Sequence, residues 1–303
     1  MNIIKITGGL GNQMFQYALY LKLKSLGRDV KIDDLTEYEK PDARPNMLWC
    51  FDASYEAASR QEIDSLTDGF MNLSHRVRRK LLGRRSLKYS EADCNFDEQV
   101  LQRDPAYLTG YFQSEKYFKN IENQVRQAFS FSHRIWEGLD EQLVQRIREY
   151  QGKIEGFLSV SVHVRRGDYL NSSEVYGGIC TGKYYQKAIE LMREKYPQAV
   201  FFVFSNDPVW TGEWIKERYG EDKAFVVVEG TDENNGYLDL FLMSKCRHHI
   251  IANSSFSWWG AWLNSNREKT VIAPSKWLNN QECRDIYTQE MIKISPCGER
   301  VFR

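Results

Sequence analysis

The sequence predicts an α/β protein of two domains, each built around a parallel, doubly wound sheet. From residue 157 onward, short apolar β-rich runs alternate with amphipathic stretches of helical length, the pattern of strand–helix–strand crossovers. The first residues give a strand, a glycine turn, a helix and a second strand, so an α/β unit begins at once. The length, 303 residues, exceeds one ordinary core and suits two domains of roughly 150 residues each. We therefore expect domains at 1–150 and 151–303. QGKIEG at 151–156 is the expected linker, and the C-terminal tail can pack back on the first domain.

The elements follow in order. NIIKIT at 2–7 is β-rich and runs into GGLG at 8–11. Residues 13–26 place Met14, Ala18 and Leu21 on one side of a helix that Gly27 stops. Residues 29–33 form a second strand, 35–105 are irregular, and 107–111 form a strand entering the aromatic loop GYFQSEKYF at 110–118. Residues 120–150 are polar with helical periodicity. In the second half we expect strands at 157–163, 199–205, 225–228, 248–252 and 271–273. Helices are expected there at 183–196, 208–219, 237–245 and 256–263.

Composition excludes several classes. The net charge is zero, against a general nucleic-acid binder, which carries a basic excess. The longest apolar run, AVFFVF at 199–204, falls far short of the roughly 20 residues of a membrane span. The N-terminus shows no charged segment followed by a long apolar one, so we expect no signal peptide and a cytoplasmic protein. Six cysteines lie scattered without CxxC spacing, and we expect free, mostly buried thiols.

Three segments carry candidate chemistry. The first is GGLGNQ at 8–13: glycines between a strand and a helix let backbone N–H groups approach a ligand, and Asn12 and Gln13 add amides for sugar hydroxyls or phosphate. A bland turn is the competing reading. The dinucleotide fingerprint is weakened because Met14 stands at its third glycine, although Asp33 and Asp34 end the second strand.

The second is HVRRGDY at 163–169. Strand alternation puts Val162, Val164 and Arg166 on one face and His163 and Arg165 on the other. A guanidinium pairs bidentately with phosphate oxygens. We read this segment as a diphosphate anchor: one arginine holds the leaving diphosphate, and Asp168 can hold the other. An internal Arg–Asp ion pair is the alternative.

The third is Asn253, Ser254, Ser255 and Phe256 before an apolar helix, with Asp239 upstream. Hydroxyls and backbone N–H groups there suit phosphate, against ordinary N-capping. Asp239 is either a cap or an acceptor for a base edge. No D-x-D motif occurs, so arginines and helix dipoles would have to neutralise a leaving diphosphate. We expect no metal and no cofactor.

Jointly, GGLGNQMFQYA at 8–18, GYFQSEKYF at 110–118, VHVRRGDY at 162–169, VFSND at 203–207 and ANSSFSWWGAWL at 252–263 resemble the bacterial α-1,2-fucosyltransferases of glycosyltransferase family 11. The resemblance implies a GT-B fold, two Rossmann-like domains facing across a cleft. It implies GDP-β-L-fucose as donor, transferred with inversion and without metal to the 2-hydroxyl of a terminal galactose. It puts Arg165 on the β-phosphate, with Arg166 beside it, His163 near the nucleoside and Asp239 on the guanine edge. Asn253, Ser254, Ser255 and Phe256 fall along the pyrophosphate, and Gly9, Gly11 and Asn12 face donor sugar and acceptor.

An inverting transfer benefits from a carboxylate that takes the acceptor proton. Asp168 is the first candidate by proximity and Glu174 the second. Enzymes of this type often build O-antigen on a lipid carrier. The basic stretch from His75 to Lys88, with seven Lys or Arg among fourteen residues, could touch an anionic membrane on its inner face, against a plain solvated surface. The competing functional readings are a non-catalytic nucleotide- or glycan-binding protein of the same fold and a dinucleotide-dependent oxidoreductase.

Overall fold

The computed structural model describes residues 1–166 and 173–302. The chain divides into two compact units, Met1–Ser132 with Arg284–Ile286, and His133–Cys283 with Tyr287–Arg303.

In the first unit a four-stranded, all-parallel sheet has the order β2-β1-β4-β3. Its strands are β1 (Asn2–Lys5), β2 (Val30–Asp33), β3 (Lys88–Ser90) and β4 (Ala106–Thr109). Helix α1 (Leu10–Ser25) follows β1 and is buried almost all round from Leu10 to Leu23, as a helix within a small core must be. Gly27, at φ +74°, ends it: Arg28 N–H reaches the Leu23 carbonyl (3.2 Å) and Gly27 N–H that of Lys24 (2.9 Å), the paired C-terminal closure that a left-handed glycine permits.

The stretch expected to be irregular holds two helices. Helix α2 (Arg60–Thr67) starts with a reciprocal capping box between Ser59 and Glu62. Helix α3 (Leu73–Leu82) is capped by Asn72 and has no buried residue.

In the second unit, seven strands run in the order β11-β10-β9-β8-β5-β6-β7. They are β5 (Ser159–Val164), β6 (Val200–Ser205), β7 (Phe225–Val227), β8 (His248–Ile250), β9 (Val271–Pro274), β10 (Ile292–Ile294) and β11 (Arg300–Val301). All pairings are parallel except β10 with β11. The helices are α4 (Glu122–Ala128), which belongs to the first unit, then α5 (Glu141–Gly156), α6 (Ser173–Tyr176), α7 (Gly182–Lys195), α8 (Pro208–Tyr219), α9 (Tyr237–Lys245) and α10 (Ser255–Leu263).

The central strand β5 is buried along its whole length. Val160, Val162 and Val164 join Tyr184, Ile189, Met192, Phe201 and Ile250 in one core, where each fully buried aliphatic side chain contributes about 1.5–3 kcal/mol. On the opposite face Ser161 bonds to His249 (2.8 Å) and His163 to Ser257 (2.8 Å). The alternation expected from the sequence holds.

Two further expectations fail. The proposed linker at 151–156 is the end of α5, which Asp140 caps with bonds from Gln142 N–H (2.9 Å) and Leu143 N–H (3.3 Å). Gly152 and Gly156 face open space, so they weaken this helix by roughly 1 kcal/mol each without breaking it. Cys94 and Cys283 are disulfide-bonded, whereas Cys50, Cys180, Cys246 and Cys297 are free. Local spacing could not show this. Asn95 Oδ1 accepts from Arg284 N–H (2.7 Å) and Asp285 N–H (3.3 Å), an approach of segments distant in sequence.

Candidate active site

Open parallel sheets bind ligands beyond the carboxyl ends of their strands, where the strand order reverses. In the second unit the chain proceeds from β5 outward to β6 and β7, then returns to the other side of β5 with β8, β9 and β10. The reversal lies between β5 and β8. His163, Arg165 and Arg166 stand at the end of β5, and Asn253, Ser254, Ser255 and Phe256 follow β8. The topology therefore brings the second and third candidate segments to one place.

Their side chains are arranged as follows. His163, 4% exposed, bonds through Nδ1 to Ser257 Oγ and lies 5.9 Å from the Phe256 ring. Tyr185 donates to the His163 carbonyl (2.9 Å) and so fixes the strand end. Ser254 is the N-cap residue of α10, but its side chain makes no capping bond. Ordinary N-capping by Ser254 is excluded, and its hydroxyl stays at the positive helix end. Asn253, 3% exposed, donates to the Trp277 carbonyl (3.1 Å) and accepts from Cys180 (3.4 Å), which ties the loop down.

The two arginines differ. Arg165 is half-buried at the strand end. The Arg166 guanidinium lies over the Trp210 ring, 3.5 Å from its centroid, and pairs with Asp207 at 3.4 Å. The Arg166 N–H donates to Asn206 Oδ1 (2.9 Å). A cation stacked and paired in this way is a fixed structural element. Asp168 was expected in that anchoring role; the described partner is Asp207. Asp168 itself lies outside the described residues. Asp207, Asn206 and Trp210 were overlooked as a group, although an Asp followed by Pro208 is a readable helix start, and Asp207 does cap α8. Glu174 is exposed on the short helix α6.

Asp239 sits in the first turn of α9. Helices α9 and α10 flank β8 in sequence and both run against the strands, so they are parallel to each other. Gly260 packs on Met243, where an added Cβ would meet Met243 Cβ at 2.9 Å. One turn earlier on each helix are Asp239 and Phe256, so Asp239 stands level with the start of α10. Its Oδ1 is buried and has no hydrogen-bond partner among the described residues. Burial pushes its carboxyl up to about 7, against a smaller lowering by the Thr231 hydroxyl.

In the first unit the strand order reverses between β1 and β4. The glycine loop follows β1, and residues 110–113 follow β4. Gly8, at φ +77°, is a required glycine: a Cβ there would stand 2.8 Å from Asn12 Nδ2. Gly9 is the N-cap of α1 at an ordinary φ of −76°, and Gly11 is buried within the helix. Asn12 accepts from Gln113 Nε2 (2.7 Å).

Gln13 was expected to offer its amide to a ligand. Instead it donates to the Gly8 and Pro45 carbonyls (both 2.8 Å) and accepts from Met47 N–H (2.9 Å), so its amide satisfies the loop backbone. Gln16 likewise bridges Thr7 N–H and the Gly110 carbonyl.

Asp33 accepts from Leu35 N–H, Thr36 N–H, the Thr36 hydroxyl and the Tyr107 hydroxyl. Burial raises its carboxyl, but these bonds outweigh burial and hold it below its usual value. With its lone pairs so occupied, Asp33 is not presented to a ribose, which removes the main support for a dinucleotide site. At the end of β3, Glu91 accepts from Tyr111 N–H (2.7 Å) and Phe112 N–H (3.0 Å). Burial pushes its carboxyl up to about 7 despite those bonds.

Among the described residues no cluster of His, Cys, Asp or Glu could hold a metal ion, and no helix is long and apolar enough to cross a membrane.

Two α/β units, each on a largely parallel sheet and one presenting arginine and a helix N-terminus at its switch point, match the GT-B class of glycosyltransferase. The family model for glycosyl transferase family 11 matches residues 92–295, and the chain belongs to that family. It is 29% identical to an α-1,2-colitosyltransferase of Escherichia coli over 99% of this chain and 98% of that one. It is 30% identical to the E. coli O-antigen biosynthesis glycosyltransferase WbnK over 90% and 93%. It is 29% identical to mouse galactoside α-(1,2)-fucosyltransferase 1 over 93% and 68%. Among solved structures, Arabidopsis thaliana FUT1 with GDP aligns at a TM-score of 0.52 and 13% identity, over 90% of this chain and 70% of that one, which supports the fold.

Proposed function

We propose that the protein transfers L-fucose from GDP-β-L-fucose to the 2-hydroxyl of a terminal galactose, with inversion, in the assembly of O-antigen or another surface polysaccharide. The observation that carries this reading is the buried Oδ1 of Asp239, without a partner among the described residues and level with the start of α10. A buried carboxylate oxygen without a donor is costly, and guanine offers two adjacent N–H donors on one edge. Arg165 and the positive end of α10 would then take the diphosphate, without metal. Arg166, fixed by Trp210 and Asp207, would hold the strand end in shape.

In the transfer, the acceptor oxygen attacks the anomeric carbon opposite the diphosphate. The bond from that carbon to the β-phosphate oxygen breaks, the hydroxyl proton passes to a carboxylate, and GDP leaves. Arg165 stabilises the charge that develops on the diphosphate. Asp168 is the proposed base, Glu174 the second candidate, and Asn12 the amide facing sugar and acceptor. The acceptor is a galactose-terminated oligosaccharide, with a lipid-linked one fitting O-antigen assembly on the cytoplasmic side.

The colitosyltransferase relative favours one further donor, GDP-colitose, whose sugar is fucose without its 3-hydroxyl. Parallel kinetics with both donors and a β-galactoside acceptor test the assignment. A higher kcat/KM for GDP-fucose is expected, and the reverse ranking would replace the donor while keeping the site. Absence of GDP release with either donor on any galactoside would leave only the non-catalytic binding reading. Full turnover is expected in EDTA; a strict requirement for Mn²⁺ or Mg²⁺ would overturn the metal-free scheme.

A further inference from the structure

Helix α3 (Leu73–Leu82) is ten residues long and has no buried residue. One of its faces is anchored. Asp68 pairs with Arg78 and with Arg79 (3.7 Å), and Arg79 also donates to the carbonyls of Asp68 (2.9 Å) and Phe70 (2.7 Å). The His75 ring packs against Phe70, with centroids 4.8 Å apart. Asp68 further accepts from Arg85 N–H (3.0 Å), which fixes the chain beyond the helix.

The opposite face is open. Leu73, Val77 and Leu81 recur every four residues and so form one row. They are 75%, 48% and 75% exposed, and Met71 and Leu82 at the two ends are 78% and 65% exposed. Of thirteen large apolar side chains exposed among the described residues, six lie between Met71 and Leu87. Arg76 and Lys80, also exposed, flank the apolar row. Residues 69–90 contain no Asp or Glu and seven Lys or Arg, in a chain of zero net charge.

We propose that this face of α3 docks on an anionic phospholipid bilayer, with the Leu73, Val77 and Leu81 row entering the headgroup boundary and Arg76 and Lys80 meeting lipid phosphates. An apolar row flanked by basic residues on a short helix is what an interfacial helix requires. Charge alone attracts such a segment only while the lipid is anionic, and the buried apolar area adds the part that salt does not screen. A second copy of the chain is a poor occupant, because pairing like faces would oppose two sets of cations across an apolar seam. A helix with no buried residue is also a convex ridge, suited to a plane rather than to gripping a peptide. The inference stands independently of the donor and linkage assigned above.

The test is co-flotation of the full chain with vesicles of phosphatidylcholine alone and of phosphatidylcholine with phosphatidylglycerol, without nucleotide or sugar. Binding to the anionic vesicles only is expected. The Leu73→Ser/Leu81→Ser double variant and the Arg76→Glu/Lys80→Glu double variant should each lower partitioning by at least about tenfold. Both should keep the wild-type Tm and turnover of a soluble galactoside, since all four side chains are exposed. Failure to bind anionic vesicles would overturn the proposal. So would binding that the Ser variant leaves unchanged, or a dimer in light scattering that the Ser variant dissolves.

Discussion

The two sheet ends differ in what they leave open. In the first unit the polar side chains at the switch point are turned on the protein's own backbone: Gln13, Gln16, Asp33 and Glu91 all bind nearby loop groups. In the second unit Asp239 keeps a buried oxygen with no partner among the described residues, and the Ser254 side chain makes no capping bond. One end is a self-satisfied scaffold; the other has binding capacity in reserve. The difference teaches that polar residues at a strand end are not evidence of a ligand until their partners are counted.

The largest effect should come from the open end. Arg165→Ala is expected to lower kcat by roughly 10²–10³, with a Tm close to wild type. A variant retaining half the turnover would remove Arg165 from the leaving group.

Asp239→Asn should weaken GDP binding by about 1.5–3 kcal/mol, the range for a hydrogen bond to a charged group, as read by calorimetry. Its pH dependence is directional. The carboxyl is raised to about 7, and only its ionised form accepts both guanine donors. Wild-type affinity should therefore climb as pH rises through about 7, and the Asn variant should be flat. A pH-independent wild type would argue against guanine at this position.

At the closed end, effects should reach activity through shape. Gly8→Ala forces a side chain onto a left-handed backbone and against Asn12, which should cost about 1–3 kcal/mol of stability and lower kcat more than it changes the KM for GDP-fucose. An unchanged kcat would show that the Asn12 position is not needed for transfer.

The smallest effect on turnover concerns Glu91. Its carboxyl is raised from 4.5 to about 7 in the folded state. Below the lower value both states hold the proton. Between the two values only the folded state does, so this group's contribution to stability is lost as pH rises through that window. Glu91→Gln should flatten that part of the stability–pH curve, measured by urea denaturation. An identical slope would place the titration elsewhere.

Much of this architecture was legible. The second unit reads almost strand by strand because its crossovers alternate regularly; the helix Pro208–Tyr219, for example, begins and ends where expected. The stretch 35–105 was opaque because its elements are short. Lys88–Ser90 is three residues long, below any periodicity, although the capping box at Ser59 and Glu62 was there to be read. At the site, placing His163 and Arg165 at a strand end needed only local pattern. The partner of Arg166 did not follow, because Asp207 arrives from the neighbouring strand. Nor could the sequence show that Gln13 would be consumed by the Pro45 and Met47 backbone, since that depends on where a distant loop closes.

The hairpin at the C-terminal edge has a practical consequence. Strand β11, running opposite to every other strand of its sheet, covers the outer rim of β10 with two residues, Arg300 and Val301. A bare sheet edge offers a row of unmatched backbone groups to any passing strand. Shortening the chain just before Glu299 would expose Lys293 and Ile294 in that way, so truncated preparations should self-associate more than the full chain.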